Sequence, residues 1–311
     1  MSQAVPTPDL VALRRGIRRR VLFDKLFSLF GWACLAVGLL TLAALLVDLA
    51  VDGLPHLRWD FFTSFPSRKA ERAGILSAWV GTVAVMIVTG MAAIPLGVAA
   101  AVYLEEYGSR NWVNDIIEIS VTNLAGVPSI VFGLLALGFF IYAMDLGRSV
   151  LTGGLTLAIL VLPIVIVATR EALRAVPFGV REAAFALGAT KWQTVWHHVL
   201  PYSLGGVATG VIIALARAIG ETAPLITIGA LTYIAFLPTS PIQSQPPFVS
   251  FQWTDDPFTV LPIQMFNWIS RPGDDFQGNA AAAGLVLLVM TLMMNGGAIW
   301  LRYRLRKRIR W

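Results

Sequence analysis

The chain is poor in the residues that mark most other protein classes. It has one cysteine, Cys34, so no disulfide framework can form and cysteine usage does not report the redox compartment. It has three histidines, His56, His197 and His198, none inside a long apolar run, which opposes a transmembrane bis-histidine haem enzyme. No G-x-x-x-x-G-K-[ST] occurs, so no P-loop cradles nucleotide phosphates. Internal repeats and low-complexity tracts are absent, and only 14% of the 311 residues are charged.

Apolar residues fill the remainder. They make up 57% of the chain, with a mean hydropathy of +0.71. A soluble domain of this size cannot hide that much apolar surface, so the class is all-α polytopic membrane protein. The net charge of +6 does not imply nucleic acid, because the bases crowd beside the terminal apolar runs. Arg14, Arg15, Arg18, Arg19 and Arg20 precede the first; Arg302, Arg304, Arg306, Lys307, Arg308 and Arg310 follow the last. That is the positive-inside pattern.

Six apolar stretches are each long enough to span about 30 Å of hydrocarbon. They are Leu26–Val51, Ile75–Leu104, Ile116–Tyr142, Leu151–Thr169, Leu204–Phe236 and Ala280–Leu301. The first is too long for a signal-peptide core and reads as an uncleaved anchor. The expected organisation is a basic N-terminal tail over 1–25, a six-helix membrane domain over 26–303 and a basic tail over 304–311. An even number of spans puts both termini on one side, and their basic flanks make that side cytoplasmic. Two loops disagree with the charge rule. The outer loop after the first span holds Arg58, Arg68, Lys69 and Arg72; the inner loop after the second holds Glu105, Glu106, Asp115 and Glu118 against Arg110.

Between the fourth and fifth stretches runs a polar, helix-patterned segment, Arg170–Pro201. Pro177 suits a first helical turn. Val180, Ala183, Ala184 and Leu187 then share a face, and Gly188 ends that helix in a left-handed conformation. Thr190 and Gln193 match a capping box opening a second helix, whose Trp192, Val195, Trp196 and Val199 repeat the spacing until Pro201 closes it. The expected form is two short amphipathic helices with a glycine elbow. It suits either a pair resting on the membrane surface or a platform that docks a partner.

The fifth stretch contains ALARAIGETAPLI. Arg217 lies 16 residues beyond Pro201, roughly 24 Å along a helix and past the midplane. Burying it costs at least ~2.5–3.5 kcal/mol. Glu221 follows at i+4, so the two can pair. The pair either fixes helix register or reads a substrate. A guanidinium fork suits a tetrahedral oxyanion, and Glu221 can orient that fork or accept a hydrogen bond from a protonated oxyanion such as hydrogen phosphate. Pro224 breaks the helix ladder close by. In the third stretch, Asn123, Gly126, Pro128 and Ser129 loosen the helix and serve either packing or a gate. The loop from Pro238 to Asn279, rich in proline and aromatics, is an interfacial cap or a docking surface.

Two motifs carry a family resemblance. Glu182-Ala183-Ala184, then Gly188, then Leu200-Pro201 is similar to the EAA loop of ABC importer permeases (EAA-x3-G-x9-I-x-LP), with His198 at the usual isoleucine position. RAIGETAP, EALRAVPFGVREAAFALGATKWQTVWHHVLP, NLAGVPSIVFGL and FFTSFPSRKAERAGIL resemble the phosphate-specific members, and LPIQMFNWISRP resembles their PstA-type subunit.

The resemblance covers nearly the whole chain after about Arg20. It implies a type I-like ABC permease fold with six transmembrane helices in the bacterial inner membrane, forming half of a pore with a PstC-type subunit. Glu182, Ala183, Ala184 and Gly188 would couple to an ATPase, and Arg217 and Glu221 would line the phosphate path. Two ATP-binding subunits would carry ATP and Mg, leaving this chain no cofactor and no enzymatic site. A periplasmic or lipid-anchored binding protein would deliver phosphate. The nearest alternatives are a sulfate or molybdate permease and the PstC-type paralogue. A secondary transporter should show paired half-repeats, and none is found.

Overall fold

The computed structural model describes residues 10–109, 111–242, 248–271 and 274–308. Arg110, Arg310 and the first nine residues of the N-terminal tail lie outside the described residues. Among the described residues the chain is helical, with no strand beyond one isolated bridge, Ile242–Val249. Away from their ends, helices satisfy their backbone donors and acceptors internally, which hydrocarbon demands.

The chain divides into two units, residues 1–51 and 52–311. The first is helical from Leu10, in α1 (Leu10–Gly53). Phe27, Leu29, Phe30, Trp32, Leu35 and Leu40 are all exposed on it. Such a helix, apolar all round, suits lipid rather than water.

The second unit opens with a 3-10 turn at Leu54–His56 and α2 (Trp59–Thr63), then a second 3-10 turn at Ala70–Arg72. Next come α3 (Leu76–Val102) with a π-helical turn, Tyr103–Tyr107, then α4 (Trp112–Leu124) and α5 (Ser129–Ala136). A π-helical stretch, Leu137–Ala143, prolongs α5. After α6 (Val150–Arg174) come α7 (Phe178–Ala186), α8 (Lys191–Thr194), a π-helical turn Val195–Val199, and α9 (Leu200–Ile219). The chain ends with α10 (Ala223–Thr227), α11 (Leu261–Ile269) and α12 (Gln277–Arg308).

Among the described residues, five helical segments are long and apolar enough to cross a membrane: Arg20–His56, Leu76–Tyr107, Val150–Arg174, Lys191–Ile219 and Asp274–Arg304. The sixth expected span is a pair, α4 and α5, bent by 110°. Pro128 has no N–H and drives Val127 out of the helical region, so the ladder stops after Leu124. The stretch expected over Leu204–Phe236 also stops early. Pro224 offers no N–H to the Gly220 carbonyl, and α9 ends at Ile219.

The centre of the second unit is α6, packed between α3 and α9. Val85, Leu157, Val161, Ala214 and Phe258 bury their side chains there. Thr89 Oγ1 of α3 donates to the Gly154 carbonyl of α6 at 3.2 Å. Against the other face of α6, Gly206 and Gly210 of α9 sit over Ala172 and Ala168, so close that a Cβ on either glycine would overlap an alanine methyl. Small residues at i and i+4 on both helices let the backbones approach, the main source of helix association in lipid.

The loop read as a cap or a docking surface is partly internal. The Thr82 hydroxyl of α3 accepts from Leu261 N at 2.9 Å, fixing the start of α11. Trp268 and Phe258 are buried, whereas Phe248, Phe251 and Phe266 are exposed. Phe61, Trp268 and Phe276 form an aromatic cluster with centroids 6.0 and 6.3 Å apart.

The α6–α9 seam yields a direct test. Gly210→Leu is expected to destabilise the protein by about 1–3 kcal/mol through overpacking, read as a lowered thermal midpoint in detergent. Gly205→Leu, one position from Gly206 and with open space at its Cα, should leave it unchanged.

Candidate functional site

The platform begins where α6 ends. Pro177, at φ −55° and ψ 136°, interrupts the helix, and α7 restarts at Phe178. Ala184 is buried on α7, and Val180 packs against the cluster of Leu173, Val176 and Val199. Ala183 and Leu187, expected on the same apolar face, are exposed instead, Leu187 at 89%. Glu182 is also exposed, and among the described residues its carboxylate has no hydrogen-bond or ion-pair partner.

The elbow forms as the local sequence predicts. Gly188 has φ +82°. Its N–H donates to Phe185 O at 2.9 Å, and Ala189 N–H donates to Ala184 O at 3.0 Å, a Schellman termination. Thr190 and Gln193 then complete the capping box, with bonds of 2.8 and 3.3 Å.

Beyond the elbow the structure corrects the expected pattern. Pro201 does not close a second short helix; it lies in the first turn of α9, and the helical path from Lys191 to Ile219 is continuous. The π-helical turn Val195–Val199 directly precedes Pro201. Widening the ladder there accommodates a ring that would otherwise clash with the preceding turn. Val195 and Val199 face inward, while Trp192 and Trp196 are exposed and stack on one another at 5.5 Å.

What anchors this platform was not apparent in the sequence. Glu106, in the π-helical turn after α3, meets Arg181 of α7 at 2.6 Å, and both side chains are largely buried. Arg181 also donates to Leu173 O at 3.1 Å and Val176 O at 2.9 Å, satisfying carbonyls at the end of α6. Beside it, Glu105 pairs with Arg170 at 3.4 Å and Arg174 at 2.9 Å, and Glu118 of α4 pairs with Arg170 at 2.8 Å. Lys191 lies 5.2 Å above the Tyr107 ring. The excess of acid that conflicted with the charge rule is therefore the counter-charge for the arginines of the neighbouring segment.

At the far end of the Lys191–Ile219 path, Arg217 Nε donates to Glu221 Oε1 at 3.2 Å. Arg217 is 43% exposed and Glu221 18%. Among the described residues the two Nη groups of Arg217 have no partner, so most of the fork is free to bind a ligand. The second helix break adjoins this one. Gly133 of α5 lies against Pro224 and Thr227 of α10, where a Cβ would come within 2.7 Å of Pro224 Cα. The contact holds the helix that starts at Ser129 against the segment following Glu221. Asn123 and Pro128 are exposed in the neighbouring break. Among the described residues no hydrogen bond joins Asn123 or Ser129 to Arg217 or Glu221.

Known proteins resemble this chain in sequence and in fold. The family model described as "Binding-protein-dependent transport system inner membrane component" matches residues 93–311. The phosphate transport system permease protein PstA of Haemophilus influenzae is 33% identical over 276 residues, covering 88% of this chain and 91% of its own. The probable ABC transporter permease YqgI of Bacillus subtilis is 29% identical over 294 residues, covering 93% and 98%. Among solved structures, an inward-facing form of the MetNI methionine ABC transporter superposes with a TM-score of 0.56 at 17% identity, covering 72% of this chain and 93% of its own. That likeness bears on the fold, a type I ABC permease, and on nothing finer.

Removing one partner of the Arg181–Glu106 pair leaves a buried charge unpaired. Arg181→Ala is expected to cost about 3–5 kcal/mol, measured by denaturation in detergent. The exchange Arg181→Glu with Glu106→Arg should recover part of the loss relative to Arg181→Glu alone.

Proposed function

Because the chain belongs to the family of binding-protein-dependent transport system inner membrane components, and is a permease subunit of an ABC importer, we propose that its cargo is inorganic phosphate and its role that of the PstA-type subunit. In this reading it lies in the bacterial inner membrane with both termini cytoplasmic. It forms the pore with a PstC-type partner and is driven by two ATP-binding subunits. A periplasmic or lipid-anchored binding protein supplies phosphate. ATP and Mg2+ belong to the ATPase subunits, and this chain performs no chemistry of its own.

The observation that carries the proposal is the Arg217–Glu221 pair at the end of the Lys191–Ile219 helical path. One carboxylate engages one edge of the guanidinium and leaves the Nη donors for a tetrahedral oxyanion. Glu221, held beside the fork, accepts a hydrogen bond from the P–OH that hydrogen phosphate carries and sulfate lacks. The names of several relatives agree with this cargo.

The same path supplies the coupling. The exposed Glu182, Ala183 and Leu187 on α7 offer a small, knobbed surface to an ATPase groove. Gly188 turns the chain so that α7 and the long helix meet at an angle. Movement of α7 then passes through the Thr190–Gln193 cap into one rod that ends at Arg217. The break at Asn123–Ser129, held to α10 through Gly133, lies where that movement would open or close the path.

Radiolabelled uptake tests the cargo. Cells carrying the chain are expected to take up phosphate and not sulfate. Arg217→Gln should lower phosphate uptake about a hundredfold, the loss of roughly 3 kcal/mol of charge-assisted hydrogen bonding, with the complex still assembled. Normal uptake by that variant would refute the pathway role, and sulfate uptake by the unaltered chain would refute the cargo.

A further inference from the structure

The cations that the charge rule does not explain lie between Arg58 and Arg72, at the opposite end of α3 from the Arg181–Glu106 pair. The intervening helix of 27 residues is about 40 Å long. The rule expects few Lys or Arg at whichever end lies away from the cytoplasm, yet the fold gathers Arg58, Arg68 and Lys69 around one cavity of about 510 Å³. Glu71 and Asp275 also line it, and His56, Phe276 and Asn279 complete the wall. A smaller cavity of about 60 Å³ shares His56, Arg58 and Glu71 and adds Arg72 and Asp60.

The cavity is built rather than incidental. Asn279, at the start of α12, is buried, and its Nδ2 donates to Ala70 O at 2.8 Å, tying the cation-bearing loop to the helix. Gly278 lies flush against the His56 ring, leaving no room for a Cβ. Phe276 belongs to the aromatic cluster beneath and carries the Arg271 guanidinium at 4.2 Å. By contrast, among the described residues Arg58, Arg68 and Lys69 form no ion pair, although Glu71 and Asp275 share their cavity. Guanidinium and ammonium groups gathered in a concavity, none of them in an ion pair, are the donors an oxyanion needs.

We propose that this cavity binds a phosphate group. Arg58, Arg68 and Lys69 supply the donors. Glu71 and Asp275 limit the charge the site tolerates and accept from a hydroxyl or ammonium carried by the same ligand. The group has two possible sources with one chemistry: free phosphate, or the headgroup of a membrane phospholipid. Trp59 and Leu54, exposed beside the cavity, put apolar and interfacial surface at its edge, where a headgroup would sit. The site shares no residue with the Arg217–Glu221 pair, and its existence does not depend on what the importer carries.

The test uses the full chain with its partner subunits, purified in detergent and stripped of lipid, in an Arg217→Gln background that removes the other oxyanion site. Equilibrium dialysis with labelled inorganic phosphate forms one arm. Native mass spectrometry with phosphatidylglycerol, against diacylglycerol lacking the phosphate, forms the other. Binding in the first arm identifies the free ion; binding in the second alone, with diacylglycerol silent, identifies the headgroup. Either is expected to weaken about tenfold or more in Arg58→Gln/Arg68→Gln/Lys69→Gln. The charge-keeping Arg58→Lys/Arg68→Lys variant should fall between, which separates lost donors from lost fold. Absence of binding in both arms, or binding unaffected by the triple variant, overturns the proposal. So does a triple variant that binds phosphate normally but no longer captures the importer's external binding protein, because the cations would then form a protein-docking surface.

Discussion

Arg181 makes the contact on which the rest of the platform depends. Its guanidinium is buried at the foot of α6, where it donates to two terminal carbonyls and to Glu106 at once. A helix end leaves carbonyls without intrahelical partners, and a buried arginine needs a counter-charge. One residue meets both needs and thereby fixes three elements: the end of α6, the start of α7 and the π-helical turn after α3. Glu105 and Glu118 extend the same tie to Arg170 and Arg174, so α4 joins it as well.

This knot holds one end of α7, and its other end, toward Leu187, is exposed. Gly188 and the Thr190–Gln193 cap define the angle at which α7 meets the long helix. That helix runs unbroken past Pro201 because the π-helical turn absorbs the proline, and it ends at the Arg217–Glu221 pair. The helix that follows the Pro128 break packs through Gly133 against Pro224 at the second break.

How much of this was legible in the sequence depends on the range of the interaction. The elbow was legible because Gly188, Thr190 and Gln193 are local signals acting within one turn. The Arg217–Glu221 pair was legible for the same reason, at i and i+4. Hydropathy summed over Ile116–Tyr142 passed over a 110° bend, because apolar length carries no information on direction. Pro201 was misread as a stop because the turn that rescues it depends on packing of Val195 and Val199. Glu106 and Arg181 are 75 residues apart, beyond any local pattern. Their one trace was an acidic loop where the charge rule expected bases.

Coupling through this path requires the helix from Lys191 to Ile219 to move as a single rod between the platform and the charged pair. Spin labels at Lys191→Cys and Ile213→Cys, both exposed positions, in a chain whose lone Cys34 is replaced by serine, would measure its length directly. Twenty-two residues separate the two labels, about 33 Å of helix. The account predicts the same narrow distance distribution in the assembled importer without nucleotide and with ATP bound. A shift of about 5 Å or more, the rise of one helical turn, would show that the rod bends at the π-helical turn and would contradict the account.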